Sequence, residues 1–240
     1  MSRLEEDKVL QDLTQNAQNG FCVDIGASDG ITWSNIYALL RLGWRGVAIE
    51  CDPAKTENLK RNYGALDCAV ITEKVTPNNV SKLIQKAPRE FDVLSLDIDG
   101  YDYFVLREVL RTHRPRHIIV EFNQCFPPSV KFSVLYDPVY WWGVNSFYGM
   151  SIGAAYELLT KHSYALCHIA FDNAIFSLAG TEKDLQQEWE KNFLNRTDGN
   201  DFPNFGQQIA RNLMHEPDWN VLAKVNRLWP EKLGKFAAWI

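Results

Sequence analysis

The chain has 240 residues, of which 46% are hydrophobic and 23% charged, a composition typical of a globular protein rather than a disordered one. Its 25 basic and 30 acidic residues give a formal net charge of −5, and there is no basic tract, so a nucleic-acid partner is not expected. No apolar stretch is long enough to span a membrane, and the acidic N-terminus lacks a signal-peptide core. We therefore expect a cytoplasmic protein without membrane contact.

Apolar runs and helical spacings alternate along the first half of the chain. The buried runs predict strands at 21–25, 47–50, 66–71, 91–97 and 117–122. Apolar residues at helical spacing predict a leading helix over 3–18 and further helices around 36–40, 58–62, 80–86 and 103–111. This alternation predicts a doubly wound, Rossmann-like α/β fold, in which helices cover both faces of a mostly parallel sheet.

The pattern changes after the fifth strand. A long loop rich in proline and aromatic residues runs from Asn123 to Tyr148, and a helix is predicted over 151–161. Two runs follow, at 164–170 and 174–178, and their short connection predicts an antiparallel hairpin at the C-terminal end of the sheet. We expect one domain over residues 1–180, with a helical extension over 181–240 packed on it.

Four tryptophans stand in the C-terminal extension, at positions 189, 219, 229 and 239. They serve either as packing anchors or as a subunit interface, and the second interpretation leaves a homodimer open.

The first strand runs directly into a glycine-containing loop, at the edge of the sheet where open α/β folds bind ligands. The loop has the pattern acid-x-Gly-x-x-x-Gly, with Asp24, Gly26 and Gly30. It does not meet the dinucleotide fingerprint, because Ser28 stands where that fingerprint has its second glycine. A carboxylate here repels a pyrophosphate and attracts a cation. Alternatively, Gly26 and Gly30 form a tight turn that binds no ligand.

A second acid, Glu50, ends the second strand 20 residues after Gly30, where an acid commonly binds a ribose diol. A ribose and a positive charge without a phosphate describe S-adenosylmethionine. Asp24, Gly26, Gly30 and Glu50 resemble the first two motifs of the class I S-adenosylmethionine-dependent methyltransferases. The resemblance implies cofactor binding by these residues. Ser28 either contacts the methionine part of the cofactor or caps the helix that follows. The resemblance also implies that Ala69, in the region of the third strand, flanks the adenine.

Two further acids, Asp97 and Asp99, follow the fourth strand beside the predicted cofactor site. The run Asp97-x-Asp99-Gly100 resembles the FkbM-type methyltransferases, which are associated with O-methylation of sugars and related polar metabolites. The resemblance covers residues 20–125 and implies that Asp97 or Asp99 orients or deprotonates the acceptor hydroxyl, with Asp97 also in the cofactor shell. Helix capping is the alternative for Asp99.

Glu121 and Asn123 stand at the end of the fifth strand, next to the fourth. Together with Asp97 they offer oxygen ligands that would suit Mg²⁺. If they bind no metal, Glu121 and Asn123 are expected to contact the substrate. In the aromatic loop, Tyr136 and Tyr148 are candidate substrate contacts. That loop forms either a lid over the site or a satellite core.

One histidine is a candidate general base. His168 lies towards the end of the sixth predicted strand and could face the site, although a histidine buried in the core is the alternative.

These features predict an enzyme that uses S-adenosylmethionine, and Mg²⁺ as a second candidate cofactor, to O-methylate a sugar or other small polar metabolite of a polysaccharide or natural-product pathway. Two other classes stay open. One is a non-catalytic nucleotide-binding module derived from a methyltransferase. The other is a dinucleotide-dependent oxidoreductase, which the incomplete glycine fingerprint disfavours.

Overall fold

The computed structural model describes residues 6–15, 19–143, 145–195, 203–216 and 218–240. Strands and helices alternate in the first half, as the apolar pattern predicts. The strands are β1 (Phe21–Ile25), β2 (Arg45–Glu50), β3 (Cys68–Thr72), β4 (Val93–Leu96) and β5 (His117–Glu121). The helices are α1 (Glu6–Thr14), α2 (Tyr37–Arg41), α3 (Pro53–Tyr63), α4 (Val80–Leu83) and α5 (Asp102–Thr112). The other residues of the predicted leading helix, 3–5 and 16–18, lie outside the described ranges.

A seven-stranded sheet forms the centre of the molecule. Its order is β3-β2-β1-β4-β5-β8-β7, where β7 is Ala165–Ala170 and β8 is Asn173–Ser177. Strands β1 to β5 pair in parallel, whereas β8 runs antiparallel to β5 and to β7. The predicted fold class, a doubly wound and mostly parallel sheet with an antiparallel hairpin, is confirmed.

The order of strands creates a crevice beside β1. The chain adds β2 and β3 on one side of β1 and then returns to place β4 and β5 on the other. The connections therefore leave β1 and β4 towards opposite faces, and a crevice opens beyond their carboxyl ends. Asp24 on β1 and Asp97 after β4 stand at this crevice because both strands point towards it.

The strands are apolar because both faces of the sheet are covered. Val23 and Ile25 pack into one buried cluster, and their neighbour Cys22 packs into a second cluster with Leu39 and Leu40 of α2. Asp24 is the polar exception in β1 and is only 5% exposed.

The second half contains two short strands that sequence reasoning missed. Strand β6 (Lys131–Val134) lies inside the predicted loop, and β9 (Phe236–Trp239) lies inside the predicted helical extension. They pair antiparallel as a separate two-stranded sheet. The prediction of a wholly helical extension was therefore wrong at its end. Each strand has four residues, too few for an alternating pattern to emerge, and 101 residues separate Val134 from its partner Phe236.

The remaining helices are α6 (Ile152–Lys161), α7 (Leu185–Trp189), α8 (Pro203–Met214) and α9 (Asp218–Leu228), with a π-helix at Glu190–Leu194 and a 3-10 turn at Pro230–Lys232. None of the described helices combines the length and apolarity needed to cross a membrane. Nothing in this arrangement tests a domain boundary at residue 180, which stays a prediction.

A third buried cluster joins the aromatic loop to the C-terminal extension. Phe126, Phe132 and Phe147 pack against Trp229, with ring centroids 5.3 to 5.9 Å from it. Trp189 is also fully buried, so these two tryptophans are packing anchors. The side chain of Trp219 lies outside the described residues.

Candidate active site

A cavity of about 1330 Å³ lies beyond the carboxyl ends of the parallel strands. Its walls come from the loops after β1, β2, β3, β4 and β5, from the β7–β8 turn and from the aromatic loop. Eight residues predicted from the sequence line it: Asp24, Gly26, Ser28, Glu50, Asp97, Asp99, Glu121 and Tyr148. Five others do not: Gly30, Ala69, Asn123, Tyr136 and His168.

The glycine loop is pressed against the end of β4. Gly26 has a φ of +93°, and a Cβ built on it would lie 1.6 Å from the carbonyl oxygen of Asp97. No side chain fits there, so glycine is required both for the backbone angle and for the close approach. This contact sets the spacing between the loop after β1 and the acid after β4.

Four of the five backbone amides of this loop, all but that of Asp29, are hydrogen-bonded within the protein. Those of Gly26 and Ala27 donate to the carbonyl oxygen of Ile49, at 2.9 and 3.0 Å. The amide of Ser28 donates to Oε2 of Glu50 at 2.8 Å, and that of Gly30 to the carbonyl oxygen of Ala27 at 2.9 Å. A phosphate-binding loop needs such amides to point at the ligand, so this loop is not built as one.

Glu50 is held rigidly at the mouth of β2. Besides the Ser28 amide on Oε2, its Oε1 accepts from the amide of Asp52 at 2.7 Å. The Cys51 thiol also bonds to this carboxylate, and the acceptor capacity that these three donors leave unused is available to a ligand. Glu50 is 6% exposed and lines the cavity, so its orientation is set before any ligand arrives.

Asp24 is a buried acid with an elevated pKa. Burial raises its pKa to about 7, the nearby charge of Glu50 adds to the rise, and a hydrogen bond from the Ser95 hydroxyl opposes it. A group buried this way gains most from a cationic partner, which would favour its ionised form.

Several acids cluster at the ends of β4 and β5. One carboxylate oxygen each from Asp97, Asp99 and Glu121 lie within 4.8 Å of one another. Asp99 adopts a φ of +52°, and the turn that holds it is fixed by Asp102, which accepts from the amides of Ile98 and Gly100 at 2.9 and 2.8 Å.

Burial and mutual repulsion raise the pKa values of this cluster. Desolvation is the largest cause for both Asp97 and Glu121, and the charges of Asp99 and Asp97, respectively, add to it. The pKa of Asp99 is raised to about 6 by burial and by Asp102, while Lys55 lowers it. Such groups hold or release a proton nearer to neutral pH than ordinary carboxyl groups do.

The side chain of Asn123, predicted to bind a metal with Asp97 and Glu121, is engaged in other hydrogen bonds. It is fully buried, its Nδ2 donates to the carbonyl oxygens of Ser146 and Tyr148, and its Oδ1 accepts from the amide of Cys125 at 3.0 Å. All its polar atoms are therefore used to pin the aromatic loop. Asp99 takes its place, and Asp97, Asp99 and Glu121 are the residues that could hold a divalent cation.

Two predicted cofactor residues are placed away from the cavity. Ala69 lies inside β3 opposite Val47, because β3 runs to Thr72, and Glu73 to Val75 line the cavity instead. Gly30, with a φ of +79°, packs against Leu59 and Tyr63 of α3 and shapes the turn.

His168 and Tyr136 also lie outside the cavity wall. His168 is on β7 at the far edge of the sheet, where its Nδ1 is 3.8 Å from Oε2 of Glu188 in α7. Tyr136 packs edge-on against Tyr101, with ring centroids 4.9 Å apart. Both side chains are engaged with neighbouring elements rather than with the site.

The cavity includes residues that sequence reasoning missed, among them Asn35, Lys55, Lys74, Ser95 and Asp172. Asp172 could have been found, because β7 runs parallel to β5 and the turn after it must lie at the same edge of the sheet. Its carboxylate accepts from Nε2 of Gln124 at 3.1 Å. Lys55 lies in the first turn of α3 and Lys74 in the loop after β3, and neither position gives a comparable signal.

The aromatic loop contributes some residues to a satellite core and others to the cavity wall. Phe126, Phe132 and Phe147 belong to the satellite core, whereas Tyr140, Trp141, Trp142 and Tyr148 line the cavity. Burial raises the pKa of Tyr148 well above its ordinary value, and the charge of Glu121 adds to the rise.

No family model matches the chain, and no curated protein matches it. Solved structures similar to it include methyltransferases. An O-methyltransferase from Bacillus cereus in complex with SAH is 18% identical, with a TM-score of 0.49 over 74% of this chain and 82% of that one. A TehB-like SAM-dependent methyltransferase from Corynebacterium glutamicum is 15% identical, with a TM-score of 0.44 over 73% and 88%. A precorrin-6y C5,15-methyltransferase from Geobacter metallireducens is 16% identical, with a TM-score of 0.42 over 71% and 84%. Likenesses this distant carry no argument about activity, which has to come from the site itself.

Proposed function

We propose that this protein is an S-adenosylmethionine-dependent methyltransferase whose acceptor is a hydroxyl group of a small polar molecule. One observation carries the proposal: Asp24 at the end of β1 and Glu50 at the end of β2 present carboxylates to the cavity, while four of the five amides in the loop between Gly26 and Gly30 are bonded within the protein. A nucleotide ligand that suits such a loop has a ribose and a positive charge and places no phosphate there. The same observation argues against a dinucleotide-dependent oxidoreductase.

The chemistry of the donor set fits this cofactor. Glu50 would accept hydrogen bonds from the ribose hydroxyls on its remaining lone pairs. Asp24 would pair with the ammonium of the methionine part, and the segment Glu73–Val75 would flank the adenine. When bound, S-adenosylmethionine supplies a methyl group made electrophilic by its sulfonium.

Asp97 and Asp99 would hold the acceptor hydroxyl and remove its proton as the new bond forms. Their raised pKa values suit this task, because a base works best when its pKa is near the working pH. Glu121 and Tyr148 would fix the orientation of the acceptor. Positioning the acceptor oxygen at near-attack distance would supply much of the rate.

The charge of the cavity limits the chemical class of the methyl acceptor. Among its described lining residues there are nine carboxyl groups and two lysines. A phosphate or carboxylate on the acceptor would be repelled here. We therefore propose a neutral, hydroxylated acceptor. Mg²⁺ bound by Asp97, Asp99 and Glu121 would help to orient two such hydroxyls and make one of them more acidic.

A release assay tests the proposal. Wild-type protein is incubated with S-adenosylmethionine and a panel of sugars, polyols and catechols, and S-adenosylhomocysteine is quantified. We expect release with at least one acceptor, and loss of that release in Asp97→Asn. Cofactor binding without transfer to any member of a broad panel would instead support a non-catalytic nucleotide-binding module.

A further inference from the structure

The segment 136–142, here called the aromatic strap, passes over the cavity between β6 and Met150. Tyr140, Trp141 and Trp142 from this strap line the cavity, and Trp141 is 67% exposed. The strap contains no helix or strand, so its position depends on side-chain contacts with the rest of the molecule.

One of those contacts comes from Lys74. Lys74 belongs to the segment after β3 that lines the cavity. Its Nζ donates to the carbonyl oxygens of Pro138 at 2.9 Å and Tyr140 at 2.6 Å, and lies 5.9 Å from the centre of the Trp141 ring. A cation that donates to two carbonyl groups forms strong, charge-assisted hydrogen bonds.

The backbone of Lys74 is itself held in place by hydrogen bonds with Asn79. Nδ2 of Asn79 donates to the carbonyl oxygen of Lys74 at 2.9 Å, and Oδ1 of Asn79 accepts from the amide of Thr76 at 2.7 Å. The backbone that carries Lys74 is thereby closed into a compact turn at the end of β3. The lysine is an anchor point for the strap rather than a loose surface side chain.

Further polar contacts hold the strap from other directions. The Tyr140 hydroxyl donates to the carbonyl oxygen of Phe147 at 2.8 Å, and Nζ of Lys235 lies 2.9 Å from Oδ2 of Asp137. Neither reaches the segment after β3. Lys74 therefore forms the direct hydrogen bonds between the strap and the segment after β3. Tyr101 links the two indirectly, because its ring packs against Tyr136 and Tyr140 and its hydroxyl donates to the carbonyl oxygen of Val75 at 3.0 Å.

We propose that Lys74 is a positioning residue, which holds the aromatic strap across the cavity and couples cofactor binding at the end of β3 to the ordering of Trp141 in the cavity wall. The coupling part rests on the proposed function. The anchoring part depends on the hydrogen bonds of Lys74 alone.

Amide hydrogen exchange of the full-length protein tests both parts. Lys74→Met keeps the length of the side chain but cannot donate, Lys74→Arg keeps the donors, and Lys82→Met removes an exposed lysine of α4 as a matched control. We expect exchange within 137–142 to become about tenfold faster in Lys74→Met, to stay near the wild-type rate in Lys74→Arg, and to be unchanged in Lys82→Met. Unchanged exchange in Lys74→Met would overturn the anchoring role.

Repeating the exchange with saturating S-adenosylhomocysteine tests the coupling. We expect S-adenosylhomocysteine to slow amide exchange of the strap in wild type, and to slow it much less in Lys74→Met. We also expect S-adenosylhomocysteine to dissociate about tenfold faster from Lys74→Met than from wild type. Equal slowing in both proteins would overturn the coupling. If wild type does not bind the ligand, the proposed function fails, yet the exchange rates without ligand still decide whether Lys74 anchors the strap.

Discussion

The backbone amide of Ser28 donates to the Glu50 carboxylate at 2.8 Å, which joins the loop after β1 to the end of β2. The bond removes from the loop an amide that could hold a phosphate, and it fixes the acid that would hold a ribose. Ser28 has a φ of +50°, so the turn that brings its amide to Glu50 is itself unusual for a residue with a side chain. Under the proposed function, this pair determines which class of nucleotide the crevice accepts.

Gly26→Ala should strongly destabilise the protein. The Cβ of the alanine would overlap the carbonyl oxygen of Asp97, and the backbone of a residue with a side chain is strained at this positive φ. We expect a loss of roughly 3 kcal/mol or more in the free energy of unfolding, measured by urea titration.

Gly43→Ala is the matched control for that variant. Gly43 also has a positive φ, of +87°, but a Cβ there meets nothing within 4 Å. Only the backbone strain remains, at about 1 kcal/mol. Equal losses in the two variants would show that the contact between Gly26 and Asp97 is not tight.

Binding of S-adenosylhomocysteine, which keeps the ammonium of the methionine part, should strengthen as the pH rises through 7. Asp24, with a pKa raised to about 7, is largely protonated at pH 6 and ionised at pH 8. An ammonium binds the ionised form, so the affinity should rise about tenfold over that range and then level off. Calorimetry at a series of pH values measures this.

Asp24→Asn should weaken the binding and remove its dependence on pH, whereas Asp67→Asn, at an exposed position, should leave both unchanged. An affinity of wild type that does not vary between pH 6 and pH 8 would exclude Asp24 as the partner of the ammonium.

Asp97→Asn should lower turnover of an identified acceptor by about a hundredfold, because an amide cannot take the proton of the hydroxyl. Glu90→Gln, an exposed acid far from the cavity lining, is the control and should keep full turnover. Steady-state rates of S-adenosylhomocysteine release provide the comparison. Full turnover by Asp97→Asn would remove this residue from the mechanism.

The three clustered carboxylates should bind one divalent cation. We expect Mn²⁺ to bind wild type with one equivalent in calorimetric titration, and to release protons, because the pKa values of Asp97 and Glu121 are raised. Glu121→Gln should abolish the binding, and EDTA should slow methyl transfer by wild type. Absence of Mn²⁺ binding in the presence of S-adenosylhomocysteine would leave the cluster as proton-sharing acids alone.

The parallel sheet was predictable because each strand of it is a local apolar run. Asp24, Glu50, Asp97 and Glu121 could be placed from the sequence for the same reason, since each stands at or just beyond the end of such a run and parallel strands end at one edge. The order of elements along the chain is enough to place these four acids.

The structure departs from the sequence-based placements where side-chain partners or pairing between distant residues decide the position. Asn123 follows β5 as predicted, yet its amide turns away to bind the aromatic loop. His168 is on the expected strand, but that strand lies at the outer edge of the sheet, beside Glu188. The pairing of β6 with β9 joins distant residues, and no short window of sequence contains both.

Calorimetric titration of S-adenosylhomocysteine into wild type and Glu50→Gln tests the central claim most directly. We predict a dissociation constant on the order of micromolar for wild type, and binding at least about a hundredfold weaker for the variant, since an amide cannot accept as a carboxylate does. Matching near-UV circular dichroism of the two proteins would show that the variant is folded. Folded wild-type protein that does not bind S-adenosylhomocysteine would contradict the account.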